Sequence, residues 1–155
     1  MALDSDTLQQ LLDTLSRFVD ERLRPLESQV AQDDAIPEDV IRDMKDLGLF
    51  GLTIPEAYGG LGLNMQEEVA VARVFGRTSP AFRSAFGTNV GIGSQSLVID
   101  GTEAQKQHYL PKMATGDIVG SFCLSEPEAG SDAASVRTTA RKDGDDYIIN
   151  GTKRY

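Results

Sequence analysis

Between Cys123 and Ser135 the chain reads CLSEPEAGSDAAS. From Ser125 to Asp132, two hydroxyls, Ser125 and Ser131, stand beside three carboxylates, Glu126, Glu128 and Asp132, with Pro127 and Gly130 between them. Pro127 removes one amide donor and fixes its φ, and Gly130 permits a turn that other residues resist. Peptide N–H groups around Ser125, Gly130 and Ser131 can point into one concavity, as in the nests that bind anions. The hydroxyls add rotatable donors. A ligand carrying carbonyls, ring nitrogens or phosphates suits such a set. The same residue types also make plain turns that need no ligand.

Other chemically capable residues are sparse. His108 stands among Gln105, Lys106 and Gln107 and reads as a solvated helix residue. Cys123 is the single cysteine, so no internal disulfide can form. No Cys, His or carboxylate grouping has metal-ligand spacing. Arg83 precedes Gly87, Val90, Gly91 and Ser94 at helical spacings, so its own face is small rather than charged. Such an Arg can meet a carboxylate bidentately, or it can pair with a neighbouring Glu or helix carbonyls.

The elements that carry these residues change period along the chain. Leu8, Leu11, Leu12, Leu15, Phe18, Val19 and Leu23 form one helical stripe, which is expected to end before Pro25. A second helix is expected from Pro37 to Leu47, with Gly48 as its stop. The run LFGLTIPEAYGGLGL is a loop too apolar to be a free linker. Asn64 with Glu67 opens a third helix to Phe75, and Ser79-Pro80 opens a fourth reaching about Ile99. Thr102 with Gln105 opens a fifth, which Pro111 closes. Strand-like runs follow at Ile118–Leu124, at Val136–Arg141 and at Tyr147–Ile149, with turns at Asp143-Gly144 and Asn150-Gly151. Lys153-Arg154-Tyr155 reads as the opening of one more strand. A sheet this small with open edges is expected to be the beginning of a larger β domain.

The chain has 155 residues, with 40% hydrophobic and 25% charged, the composition of a globular protein. Its formal net charge of −9 disfavours nucleic acid and anionic membranes as partners. No apolar run reaches the roughly 20 residues of a membrane span. The N-terminus lacks a basic region ahead of an apolar core, and it is acidic from Asp4, so neither a secretory signal nor a mitochondrial presequence is expected. A cytoplasmic location is the expectation.

The CLSEPEAGSDAAS run resembles the flavin-loop signature of acyl-CoA dehydrogenases at every position of that signature. IPEAYGGLGLNMQEEVAVARVFGR, GTEAQKQHYLPKMATGD and YIINGTKRY resemble further family segments, in order and with typical separations. The resemblance implies an N-terminal helical domain at 1–116 and the first strands of a middle antiparallel β-barrel-like domain at 117–155, with a C-terminal helical bundle absent from this chain. It also implies FAD, homotetramers, an acyl-CoA substrate, and an electron-transfer flavoprotein as electron acceptor. The implied reaction removes an α-proton and a β-hydride and leaves a trans-2-enoyl-CoA. By the same resemblance the amides near Leu124 and Ser125, with the Ser125 hydroxyl, face the flavin pyrimidine edge. Phe122 flanks the ring, Gly130 allows close approach, and Ser131 meets the cofactor or the pantetheine of CoA. Tyr155 stands where the family often has Trp against the flavin. Plain core packing is the competing reading for Phe122 and Tyr155. Glu126 and Asp132 are expected to hold the loop through amide hydrogen bonds. The catalytic base is expected beyond Tyr155. FRSA, around Arg83, resembles glutaryl-CoA dehydrogenase, whose corresponding Arg lies at the distal end of the acyl pocket. Same-fold alternatives are an acyl-CoA oxidase, a flavin monooxygenase or a desulfinase. A non-enzymatic helical interaction module is the alternative from another class.

Overall fold

The computed structural model describes residues 3–155, which divide into a helical unit ending at Ser121 and a smaller unit from Phe122 to Tyr155. The fold is mainly helical with one small antiparallel sheet, as the change of period predicts.

Helix α1, Ser5–Phe18, starts at Asp4, whose carboxylate accepts the Asp6 and Thr7 amides. The stripe does not end before Pro25. The chain widens into a π turn at Val19–Leu23, tightens through Arg24–Leu26, and resumes as α2, Glu27–Asp33. A proline ring collides with the carbonyl four residues back, and the changed pitch around Pro25 lets the helical course continue. The reward is burial: Val19, Leu23 and Val30 all lie in the core. The π turn also carries Arg22, which grips Asp39 and Asp43 of α3, Glu38–Asp46, at 2.5 and 2.9 Å. Gly48 stops α3 at φ 71°, as expected.

The apolar loop is a packed element. Leu49, Phe50, Leu52, Ile54 and Leu63 are buried, and Leu61 and Leu63 donate their amides back to Gly51 and Leu52. Helix α4, Met65–Phe75, opens with the expected capping box of Asn64 and Glu67. The predicted fourth helix is two: α5, Pro80–Val90, and α6, Ile92–Asp100, broken at Gly91. The Thr53 hydroxyl donates to the Val90 carbonyl at the break, so a bond from outside replaces helical continuation. Phe86 of α5 meets Phe75 edge-on at 4.9 Å, which centres the core between α4 and α5. Helix α7, Glu103–Ala114, opens with the expected Thr102–Gln105 box, but Pro111 lies inside it and does not close it. Burial of Leu110, Met113 and Ala114 against Ile54 carries the helix past the proline.

The expected strand at Ile118–Leu124 does not form. Asn89 of α5, fully buried, takes the backbone groups that a ladder would use. Its amide nitrogen donates to the Met113 and Ile118 carbonyls at 3.0 and 2.8 Å, and its carbonyl accepts the Gly120 amide at 2.7 Å. In the second unit, strands β1, Thr139–Asp143, and β2, Asp146–Asn150, pair antiparallel, with Asp143 opposite Asp146 around Gly144-Asp145. The strand starts three residues later than the expected Val136, because Glu126 has taken the Arg137 and Thr138 amides. Lys153–Tyr155 forms no strand; the Arg154 amide donates to the Ser125 carbonyl at 2.9 Å.

Replacing Asn89 with Leu leaves the part-buried Ile118 carbonyl and Gly120 amide without these partners, while the Met113 carbonyl keeps the Gly116 amide. The expected loss is about 3 kcal/mol in urea unfolding, and a loss under about 1 kcal/mol would contradict the clamp.

Candidate functional site

The turn singled out by its residue types is built around one carboxylate. Glu126 is buried although its neighbours Ser125 and Pro127 are not. Its Oε2 accepts the Arg137 amide at 2.7 Å, and its Oε1 accepts the Thr138 amide at 2.9 Å, the Thr138 hydroxyl, and Lys153 Nζ at 3.1 Å. The Glu126 and Ala129 backbones exchange both bonds across the Pro127-Glu128 turn, at 2.8 and 3.2 Å. Thr138 is fixed from its other side, since a Cβ on Gly151 would meet its Oγ1 at 2.1 Å. Only glycine fits there. The Asp132 backbone carbonyl accepts the Ser135 amide and its carboxylate accepts the Ser135 hydroxyl, which forms the short turn after Gly130. Glu126 thus holds the loop through amide hydrogen bonds as expected, whereas the Asp132 carboxylate holds it through the Ser135 hydroxyl instead of an amide.

With the turn so fixed, its outer edge stays open. The carbonyls of Leu124 and Ser125 are engaged, by Lys153 Nζ and by the Arg154 amide. Among the described residues, the Leu124 and Ser125 amides and the Ser125 hydroxyl have no partner in the chain. Phe122 is 55% exposed and Tyr155 fully exposed, so neither is a core residue here. Ser131 is exposed as well. Gly130 departs from expectation: its φ is not left-handed, and a Cβ there would meet nothing within 4 Å. The turn geometry of this chain does not demand glycine at that position.

In the helical unit, Arg83 does find a charge. Its guanidinium lies 3.6 Å from Glu68 of α4. The small face that the sequence displays belongs to α5 alone, and periodicity within one helix says nothing about the helix packed beside it. Glu68 and Arg83 line an open depression of about 360 Å³ with Ser84, Gly87, Thr88, Gly91 and Ile92. His108 is exposed on α7, as expected. Among the described residues, no His, Cys, Asp and Glu group is arranged to hold a metal, and no helix is long and apolar enough to cross a membrane.

Sequence reasoning named the loop residues but missed four that build or line these places: Thr138, Gly151, Lys153 and Glu68. The Asn150-Gly151 turn signal carries no information about which carboxylate Thr138 meets. The Thr138–Glu126 contact spans 12 positions, beyond any local pattern.

The hydrogen bond from the Thr138 hydroxyl, then that from the Arg137 amide, hold the Glu126 carboxyl down at about 2, against an ordinary 4.5. The unfolded state therefore binds the extra proton between about pH 4.5 and 2. The stabilisation is complete above that window and is lost as pH falls through it. The Arg137 and Thr138 amide resonances should hold their native shifts down to about pH 3, and Glu126→Gln should abolish the transition. A midpoint at the ordinary carboxylate value would contradict the anchor.

The family model for the acyl-CoA dehydrogenase N-terminal domain matches residues 5–117, and that for the middle domain matches 121–155. A (2S)-methylsuccinyl-CoA dehydrogenase of Cereibacter sphaeroides is 37% identical over 151 residues, covering 97% of this chain and 27% of the relative. The crystal structure of an acyl-CoA dehydrogenase complexed with FAD from Bacillus anthracis has a TM-score of 0.86 at 34% identity, covering 97% of this chain and 27% of that one. A glutaryl-CoA dehydrogenase in complex with glutaryl-CoA gives 0.87 at 34% identity, over 99% of this chain and 39% of that one. The chain thus spans between about a quarter and two fifths of the length of these proteins. Two family models in order along the sequence, together with a shared fold at this identity, make the chain a member of the acyl-CoA dehydrogenase family.

Proposed function

We propose that the full-length protein is an FAD-dependent acyl-CoA dehydrogenase that converts an acyl-CoA thioester to the trans-2-enoyl-CoA. One observation carries the reading. The Glu126-anchored turn holds three donors, the Leu124 and Ser125 amides and the Ser125 hydroxyl, without an acceptor in the chain.

That donor set fits the pyrimidine edge of a flavin, which offers carbonyl and ring-nitrogen acceptors. FAD, when bound, supplies the hydride acceptor for β-carbon oxidation. Everything else asked of this segment is binding and electrostatics. The two amides and the Ser125 hydroxyl stabilise negative charge at that edge, and they need no reorganisation because Glu126 already fixes the turn. Phe122 and Tyr155 present exposed rings that can cover a planar ligand. Gly130 leaves room for close approach, and Ser131 donates to the cofactor or to the pantetheine. Arg83 meets the far end of the acyl chain.

None of the carboxylates in these residues is assigned as the base. The Glu126 carboxylate is committed to amides and that of Asp132 to the Ser135 hydroxyl, and the base is assigned to the sequence beyond Tyr155. In the whole protein, 1–116 forms the N-terminal helical domain and 117–155 the first strands of the middle domain, followed by a C-terminal bundle. The protein is a cytoplasmic homotetramer that delivers electrons to an electron-transfer flavoprotein. The (2S)-methylsuccinyl-CoA, FAD-bound and glutaryl-CoA relatives support this reading.

The full-length protein should purify yellow and bleach anaerobically when an acyl-CoA is added. Ser125→Ala should keep the fold and weaken flavin binding or slow bleaching by about tenfold, the effect of one hydrogen bond to a developing charge. A folded, colourless protein to which FAD does not bind would defeat the proposal.

A further inference from the structure

The depression on the helical unit is lined by a carboxylate of α4 as well as by Arg83. Glu68 projects from α4 and Arg83 from α5, and their charged ends lie 3.6 Å apart. The Glu68 side chain is only 18% exposed, whereas the Arg83 side chain is 42% exposed. The carboxylate therefore sits beneath the guanidinium, in the wall. It borders two adjoining hollows, the depression of about 360 Å³ and a second of about 240 Å³ lined also by Thr53, Met65 and Gln95. Gly87 makes the pairing possible. A Cβ at that position would lie 2.8 Å from Arg83 Nη1, so the guanidinium folds flat over a bare Cα on its way to α4.

The charges decide what such a wall accepts. A lone guanidinium would attract an acid, because its planar donors match a carboxylate. Paired with Glu68 it has no net charge to offer, and a second carboxylate entering the depression would be repelled by the first. The remaining lining is neutral: the hydroxyls of Ser84 and Thr88, the glycines and the exposed Ile92. Such a surface suits an uncharged tail.

We propose that Glu68 is a specificity-determining residue, which cancels the charge of Arg83 and so selects acyl chains with an uncharged end over those ending in a carboxylate. The inference rests on the assignment of the acyl tail to Arg83, and it names the substrate class for that site. Discrimination here comes mostly from repulsion of the wrong tail.

Pentanoyl-CoA and glutaryl-CoA have acyl chains of equal length and differ at the far end, methyl against carboxylate. Their dissociation constants should be measured by calorimetry on the full-length, flavin-loaded protein. The native protein should bind pentanoyl-CoA the more tightly. Glu68→Gln, isosteric and uncharged, should shift the ratio toward glutaryl-CoA by about tenfold, and adding Arg83→Gln should cancel that gain. Thermal melts of each variant report whether the fold is kept. A native preference for glutaryl-CoA, or a ratio that Glu68→Gln leaves within about twofold, would overturn the role of Glu68 while leaving the dehydrogenase reading standing. Should Glu68→Gln fail to fold, Glu68→Met, of similar length and uncharged, takes its place: it should shift the ratio toward glutaryl-CoA by about tenfold, and a ratio left within about twofold would overturn the proposal. A protein that binds neither thioester would bring down the proposed reaction as well.

Discussion

The carboxylate of Glu126 closes the smaller unit upon itself. A strand must begin near Thr139, a turn must leave Ser125, and a tail must return past Lys153, all around one side chain. Arg137, Thr138 and Lys153 converge there, and the two amides, the hydroxyl and the ammonium they bring must be satisfied. An ionised carboxylate satisfies them, with two oxygens and enough lone pairs for several donors. The donors that Glu126 collects come from Arg137, Thr138 and Lys153, and those of Leu124 and Ser125 are not among them. The same side chain therefore builds the turn while the Leu124 and Ser125 donors stay unused within the chain.

Asn89 solves the corresponding problem in the helical unit. The chain leaving α7 has carbonyls and an amide to satisfy, and it has no neighbouring strand. A buried primary amide, donor on one side and acceptor on the other, fits that mixed demand better than a carboxylate could. Both cases follow from the rule that buried backbone groups must be paired. Once a side chain supplies the partners, the segment no longer needs a sheet. The hairpin shows the converse. Its ladder pairs β1 with β2, but every residue of both strands is exposed, including Tyr147 and Ile149. It holds its shape through backbone bonds and the Glu126 anchor, and it has no core of its own.

Legibility followed the range of the interaction. The Asn64–Glu67 and Thr102–Gln105 boxes and the Gly48 stop were readable because each is complete within four residues. Proline misled twice, at Pro25 and Pro111, since its local cost is fixed while the burial that outweighs it depends on distant partners. The strand expected at Ile118–Leu124 failed for a similar reason: its apolar residues fit a strand, but the Ile118 carbonyl and the Gly120 amide were claimed by Asn89. Arg83 was legible as an unusual charge, and its partner was not, because Glu68 lies on another helix.

The sequence by itself determined the helical and strand-like halves, the capping signals, the turn chemistry of Ser125–Asp132, and the family to which that turn belongs. These are encoded in short spacings and residue types. Tertiary structure alone decided which donors of the turn stay free, which carboxylate faces Arg83, and where the helices pass through proline or break. Those outcomes depend on groups far apart in sequence meeting at hydrogen-bonding distance, and no local period records such a meeting.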